Sequence, residues 1–262
     1  MTNGKDGALA AADPRQADLH RVFYRYFDIL PADTEALRRE VYKLRFQVYC
    51  VETGFERAED CPEVIEDGRS VKLEIDEYDA RSAHYLVRHR RTGLYAATVR
   101  LVLPDPVDVM APYPIEAHCP LDEPVTDPAV RRHLAEISRF AVSKAFKRRR
   151  GEQKTLAGIA PDPEVYFAPD ERRLLPHMTV GLFAGILRMT RAHDITHWYA
   201  VMEPALLRLL RLFGIRFLPI GPDVDYHGLR RPCLAEPDKV LPMIRKINRP
   251  VWELITDRGR YA

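Results

Sequence analysis

Cysteine is scarce in this chain and unpatterned. Four cysteines, Cys50, Cys61, Cys119 and Cys233, fall in 262 residues, with no C-x-x-C and no interleaved Cys/His spacing to suggest a metal module. A chain of this length needs no disulfide staples, so a reduced, cytoplasmic protein is the expectation. Long apolar runs are also missing. The longest, Met178 to Leu187, is far short of the ~20 residues that cross a bilayer. No basic segment followed by an apolar core opens the sequence, and residues 1–18 are expected to be disordered. No internal repeat or low-complexity tract occurs. No Ser or Cys stands beside a His in a nucleophile motif, which removes the basis for a covalent enzyme intermediate. His193 and His197 are four apart, but Asp194-Ile195-Thr196 between them reads as a helix-to-strand turn and no third ligand is near, so no metal site is expected.

What is present is a core. Apolar residues make up 46% of the chain, enough for one domain over residues 19–262. The net charge of +2 conceals a segregation: residues 52–79 are crowded with Glu and Asp, residues 131–150 with Arg and Lys. Local surfaces are implied, not a general nucleic-acid binder.

The apolar periods predict an element order. Phe23–Leu30 alternates as a first strand that Pro31 ends. Asp33 or Thr34 caps a helix with the stripe Leu37, Val41, Leu44 and Val48, which sets Arg45 and Tyr49 together toward the core. Residues 50–73 read as a long mobile loop. Strands follow at 83–89, 96–103 and 135–142, with a proline-rich connection at 110–128. An irregular insertion is expected at 151–176. Then come a helix at 177–193, a strand at 197–202, a helix at 205–213 stopped by Gly214, and strands at 215–220 and 229–235.

Arg45, Tyr49, Phe55, Asp76, Asp79, Arg100, Glu136 and Arg139 lie in YKLRFQVYCVETGFE, LEIDEYD, ATVRLVLP and AEISRFAVS. In order and spacing they resemble the acyl-homoserine lactone synthases, whose active site carries an Arg with an aromatic four residues on, E-x-D-x-x-D, Arg-Leu ending a strand and E-x-S-R-F. The element order is similar to that of the GNAT acyltransferase fold, an α/β arrangement with a mixed, mostly antiparallel sheet flanked by helices. Lactone synthases, N-acyl amino acid synthases and the acyltransferases associated with the PEP-CTERM/exosortase sorting system share it. The segments and the long C-terminal half resemble the last group most.

Acyl transfer from a thioester to an amine needs a proton acceptor and donors for the oxyanion of the tetrahedral intermediate. The resemblance implies Glu136 as that acceptor, with Glu74 in reserve. The alternative for Glu136 is a structural ion pair with Arg139. Residues three apart on a regular strand face opposite sides, so that pairing requires a bulge, which would also free backbone N–H groups near Arg139–Val142 for the thioester carbonyl. Glu74, Asp76, Glu77 and Asp79 repel one another unless cations sit close, and Arg45, Arg100 and Arg139 are the expected partners. The resemblance implies that Arg45, Asp76, Asp79 and Arg100 organise the site. Tyr49, Phe55, Ser138 and Phe140 are placed in the substrate pocket. The family carries Trp where Phe55 stands and Phe where Tyr49 stands, so the acceptor need not be the family's usual one.

CoA-using members of the fold hold pyrophosphate on an R/Q-x-x-G-x-G/A loop at a helix start. Here Arg148-Arg149-Arg150-Gly151-Glu152-Gln153 ends in Gln, a poor cradle. Lys144, Lys147, Arg148, Arg149 and Arg150 form instead a basic patch suited to an acidic acyl carrier protein, which would present the acyl group on its phosphopantetheine. No bound cofactor is expected. Asp225, His227, Arg230 and Arg231 are expected on a surface loop, with contact to the substrate as the alternative. The expected activity is N-acylation of a small amino-acid-like amine. The rivals are a lactone synthase using S-adenosylmethionine and a non-catalytic module that binds lipid or carrier protein.

Overall fold

The computed structural model describes residues 18–146, 171, 174–225 and 228–262. Helix α1 (Leu19–Tyr26) begins at Asp18, whose carboxylate accepts the Arg21 N–H at 3.0 Å, and runs straight into strand β1 (Phe27–Pro31). Thr34 caps α2 (Glu35–Phe46) by accepting the Leu37 N–H. The Leu37, Val41, Leu44 and Val48 stripe packs on Leu86 and Ala141 of the sheet, as its helical period requires.

Beyond Phe46 the helix widens into a π-helical turn, Gln47–Glu52, closed by Thr53, whose N–H and hydroxyl both reach the Val48 carbonyl. The Phe55 and Glu56 N–H groups then donate to the Tyr49 carbonyl at 2.8 and 3.2 Å. The chain thus folds back and sets Phe55 and Glu56 beside Tyr49. A hairpin follows, β2 (Glu63–Glu66) with β3 (Arg69–Lys72).

The main sheet runs β1–β4–β5–β6–β7–β10–β8, with β4 Ser82–His89, β5 Tyr95–Val102, β6 Leu134–Val142, β7 His197–Met202, β8 Leu218–Pro219 and β10 Leu229–Ala235. The short β9 (Val224–Asp225) pairs with β10. Every pair is antiparallel except β6–β7, which is parallel and in register only from Leu134/His197 to Ile137/Ala200. Past Ile137 the two strands part and open a cleft. Short helices α3 (Pro114–His118) and α4 (Pro128–Arg131) lie in the connection before β6.

Helix α5 (Met178–Ala192) is buried along most of its length against β4 and β5. It comes close to β4 because Gly185 carries no side chain, a Cβ there lying 2.8 Å from Tyr85 Cβ, while the bare Gly181 makes room for the Phe23 ring of α1. Helices α6 (Pro204–Leu212), α7 (Pro237–Ile247) and α8 (Arg249–Ile255) complete the described chain.

Four sequence expectations need correction. Residues 23–26 are helical, because the Asp18 cap and the burial of Phe23 fix a helical turn before strand geometry begins. Residues 50–73 hold the π turn and the β2–β3 hairpin instead of a structureless loop. The strand expected at 215–220 shrinks to Leu218–Pro219. Helices α7 and α8, absent from the sequence reading, close the C-terminal end. The expected disordered start and most of the 151–176 insertion lie outside the described residues.

Candidate active site

Three arginines and three carboxylates meet on the cleft side of the sheet. Arg45, from the last turn of α2, puts Nε on Glu74 and donates from Nη1 to Asp79 Oδ1 at 2.6 Å. Arg100, from β5, donates from Nη1 to Asp76 Oδ1 at 2.5 Å and to Asp79 Oδ1 at 3.0 Å, while its Nε reaches Ser138 Oγ at 2.9 Å. Arg139 donates to Glu74 Oε1 and Asp76 Oδ2, each at 3.1 Å, and pairs with Glu56 at 3.3 Å.

Asp76 and Asp79 also hold the backbone. Asp76 accepts the Tyr78 N–H and Asp79 accepts the Asp76 N–H, a reciprocal cap on the short helical turn Glu77–Arg81. Burial alone would raise the Asp79 and Glu74 pKa values. Arg45 outweighs it at both, helped by Arg100 at Asp79 and by Arg139 at Glu74, and holds both carboxyls below the ordinary range. Burial, reinforced by the Arg45 charge, pushes His84 down to about 3, so this ring is neutral 3.6 Å from Asp79.

Glu136 stands apart from this network. Its carboxyl is buried and accepts the Ile115 N–H at 2.8 Å, from the first turn of α3. Burial pushes its pKa up to about 8, against the smaller opposing pull of that N–H and of Arg100.

The ion pair with Arg139 weighed for Glu136 is not formed; Arg139 pairs with Glu74, Asp76 and Glu56. The bulge is real. Thr98 opposes Ala141 and Arg100 opposes Ser138, so Arg139 and Phe140 together face Val99, and Arg139 takes a φ of +48°. A left-handed arginine is a strained conformer, held here by the carboxylates that receive its side chain.

The cleft encloses about 430 Å³. Glu136, Ser138 and Phe140 from β6, Tyr49 and Phe55 from the returning loop, and Arg230 from β10 all line it. The register with β7 ends at Ile137, so the β6 edge from Ser138 to Val142 borders the cleft. Arg139 also lies over the Tyr49 ring, 5.4 Å from its centroid.

Lys144, expected in the docking patch, turns to the returning loop: its N–H binds the Glu52 carboxylate at 2.8 Å and its ammonium binds the Glu52 carbonyl. Lys147, Arg148, Arg149, Arg150 and His227 lie outside the described residues. Arg230, expected on a surface loop with substrate contact as the alternative, is a wall of the cleft; its neighbour Arg231 is taken up by Asp223 at 2.5 Å. Among the described residues no group of His, Cys, Asp and Glu is arranged to hold a metal ion, and no helix is long and apolar enough to cross a membrane.

Sequence reasoning missed Ile115, Glu56, Glu52, His84 and the near approach of Cys50 to Cys61, whose sulfurs lie 3.6 Å apart as free thiols. Tyr113-Pro114-Ile115-Glu116 did carry a signal. Pro at the first helical position with Glu two residues later, which accepts the Tyr113 N–H, marks a short helix start.

The parallel pair that parts at its midpoint, the bulge beside it and the flanking helices define the GNAT acyltransferase fold. A family profile for the acetyltransferase (GNAT) domain matches residues 44–157. Two solved structures superpose with similar fit. TofI, in a ternary complex with an inhibitor and MTA, gives a TM-score of 0.53 at 16% identity, covering 86% of this chain and 99% of its own. BjaI, a CoA-dependent acyl-homoserine lactone synthase with SAM and isopentyl-CoA, gives 0.52 at 16% identity, covering 90% of this chain and 89% of its own. These likenesses establish the fold. No curated protein matches the chain by sequence.

Proposed function

We propose that this protein is an N-acyltransferase that moves a fatty acyl chain from acyl carrier protein to the amine of a small amino-acid-like acceptor. The observation that carries the reading is Glu136, a carboxyl buried in the cleft wall beside the bulged strand with its pKa pushed up to about 8. Amine groups of amino acids titrate in the same region, so a Glu136–amine pair shares one proton with little bias. The carboxylate can then take that proton as the neutral amine attacks the thioester carbon. Backbone N–H groups along the β6 edge from Ser138 to Val142 are the donors proposed for the oxyanion. The intermediate collapses with loss of the thiol of the carrier's phosphopantetheine, and no covalent enzyme species is required. Arg45, Asp76, Asp79 and Arg100 fix the floor, while Tyr49, Phe55, Ser138 and Phe140 shape the pocket. The basic run Lys147–Arg150 supports carrier-protein docking, and the Gln153 departure argues against a CoA pyrophosphate cradle.

A second reading is favoured by the ligands of the two similar structures. Binding of SAM in BjaI and MTA in TofI points to S-adenosylmethionine as acceptor and lactone as product. The deciding experiment incubates the protein with long-chain acyl carrier protein, amino acids and S-adenosylmethionine, and analyses the products by mass spectrometry. An N-acyl amino acid supports the first reading. Methylthioadenosine released with a lactone overturns it in favour of the second, and no acylated product with any amine removes both.

A further inference from the structure

Among the described residues three arginines line the cleft, and two of them belong to the acid cluster. Arg100 and Arg139 are neutralised by Glu74, Asp76 and Asp79, whose side chains are at most 18% exposed. Arg230 differs. It reaches the cleft from β10, on the far side of the cavity's strand pair from the acid cluster, and its guanidinium lies 5.7 Å from the centroid of the Phe55 ring. Its carboxylate partner is Glu203, at 2.6 Å, and that side chain is 53% exposed at the end of β7.

An ion pair with one half-solvated partner is weakly held, because water competes for the carboxylate. The guanidinium itself is only 14% exposed. Its pKa is lowered by burial, with the Tyr49 phenol as the opposing influence, so this cation gains from a better-matched anion. The Phe55 ring beside the guanidinium gives it a cation–π contact, and both side chains line the cavity.

We propose that Arg230 is the carboxylate-binding residue for the acceptor: the substrate is an amine that also carries a carboxylate, which displaces Glu203 from Arg230 while the amine lies toward Glu136. This rests on the acyl-transfer reading above and narrows its substrate class. It also gives the Phe55 position a role, since that ring lies beside the guanidinium that grips the acid end.

The test is equilibrium binding, which needs no turnover. Common L-amino acids and their carboxamides are titrated into the wild-type protein and into Arg230→Ala, Arg230→Lys and Glu203→Gln. Wild type should prefer the acid over its carboxamide by about tenfold or more. Arg230→Ala should lose that preference, Arg230→Lys should keep part of it, and Glu203→Gln should strengthen acid binding by removing the competing carboxylate. If Arg230→Ala does not fold, the Glu203→Gln and Arg230→Lys titrations decide alone. Equal binding of acids and carboxamides to wild type, no binding of either, or a preference unchanged in all variants overturns the proposal. A parallel measurement of the KM for acyl carrier protein checks the other source of an anion: a rise in Arg230→Lys confined to that KM assigns Arg230 to the donor's phosphate and overturns it too. Absence of acyl transfer despite selective acid binding would defeat the catalytic reading and leave the carboxylate site standing.

Discussion

Glu136 and Arg139 are three residues apart on β6 and have no contact, because the bulge between Ser138 and Ala141 turns Arg139 into the acid cluster and leaves Glu136 on the Ile115 N–H. One strand therefore supplies two environments. The Glu74 carboxyl beside Arg139 is held below the ordinary range, and the carboxyl of Glu136 is pushed up to about 8. Separation of pKa values between neighbouring acids is how a site assigns a structural role to one and proton transfer to the other.

The proton role gives the first prediction. Glu136→Gln keeps the shape and loses the titration, so kcat should fall by roughly 10²-fold or more with the fold intact. In the wild type kcat/KM should rise with pH through an apparent pKa near 8, because the free enzyme must release the Glu136 proton before it can accept another. Pre-steady-state and steady-state rates between pH 6 and pH 10 check this. A profile that is flat in wild type, or unchanged in Glu136→Gln, would remove Glu136 from the reaction.

The same shift predicts a stability effect of opposite sense. A carboxyl whose pKa is raised on folding costs nothing while both states are protonated. The cost begins as pH passes the ordinary value near 4.5 and grows until it passes the folded value of about 8. Glu136→Gln should therefore melt at a higher temperature than wild type at pH 9 and with little difference at pH 4. Calorimetric melts at the two pH values measure it.

Much of this site was legible in the sequence. The density of acids at 74–79 required cations nearby, and Arg45, Arg100 and Arg139 supply them. The i, i+4 spacing of Arg45 and Tyr49, by contrast, runs into the π turn: Arg139 lies over the Tyr49 ring and Arg45 over Tyr42. The bulge was raised as the requirement of a Glu136–Arg139 pair; it is present without that pair and turns Arg139 to Glu74 and Asp76 instead. Ile115 was not legible as a ligand of Glu136, since a backbone N–H has no side-chain signature and its position depends on a turn twenty-one residues upstream. Arg230 was read first as a surface-loop residue and only second as a substrate contact for a related reason: it enters the cleft because β10 pairs with β7, a contact set by the order of the sheet and by no local pattern. Residues 23–26 were misread because alternation over four residues fits a strand edge and a helical turn equally well.

Asp79 gives the third prediction. It accepts from Arg45 and Arg100 and from the Asp76 N–H, and its side chain is 3% exposed. Asp79→Asn leaves two buried guanidinium groups short of a counter-charge and should cost roughly 3–5 kcal/mol, while Asp76→Asn, at 18% exposure, should cost less. Because the Asp79 pKa is depressed on folding, its stabilisation is present above the ordinary carboxyl range and fades as pH falls below about 4. Urea melts at pH 7 and pH 3 should show the gap between wild type and Asp79→Asn narrowing at the lower pH. An equal gap at both would mean that packing, not charge, is what the substitution disturbs.

Helix α5 gives a prediction independent of chemistry. Gly185→Ala places a methyl 2.8 Å from Tyr85 Cβ, and neither the helix nor β4 can yield without disturbing the core between them. Overpacking of this kind costs roughly 1–3 kcal/mol, against a gain of up to ~1 kcal/mol from replacing glycine inside a helix. The net effect should be a lowered melting temperature. Tyr85→Ala would leave the opposing Cβ in place, whereas Tyr85→Gly removes it, so Gly185→Ala and Tyr85→Gly should be non-additive, the double variant losing less than the sum of the two single ones.

The donor gives the last prediction. If acyl carrier protein docks on the basic run, the attraction is between exposed charges and is screened over about 10 Å at 0.1 M salt. Raising salt should raise the apparent KM for acyl carrier protein and leave the acceptor KM unchanged, and reversing Arg148, Arg149 and Arg150 to Glu should do the same at low salt. Acyl-CoA should be a poor donor, because the sequence carries Gln153 where the CoA-using members of the fold have a small residue in the pyrophosphate loop. The two arms separate the causes. A salt response that persists after charge reversal would locate the docking charges elsewhere on the surface, and equal efficiency with acyl-CoA would show that the donor is read through its pantetheine arm alone.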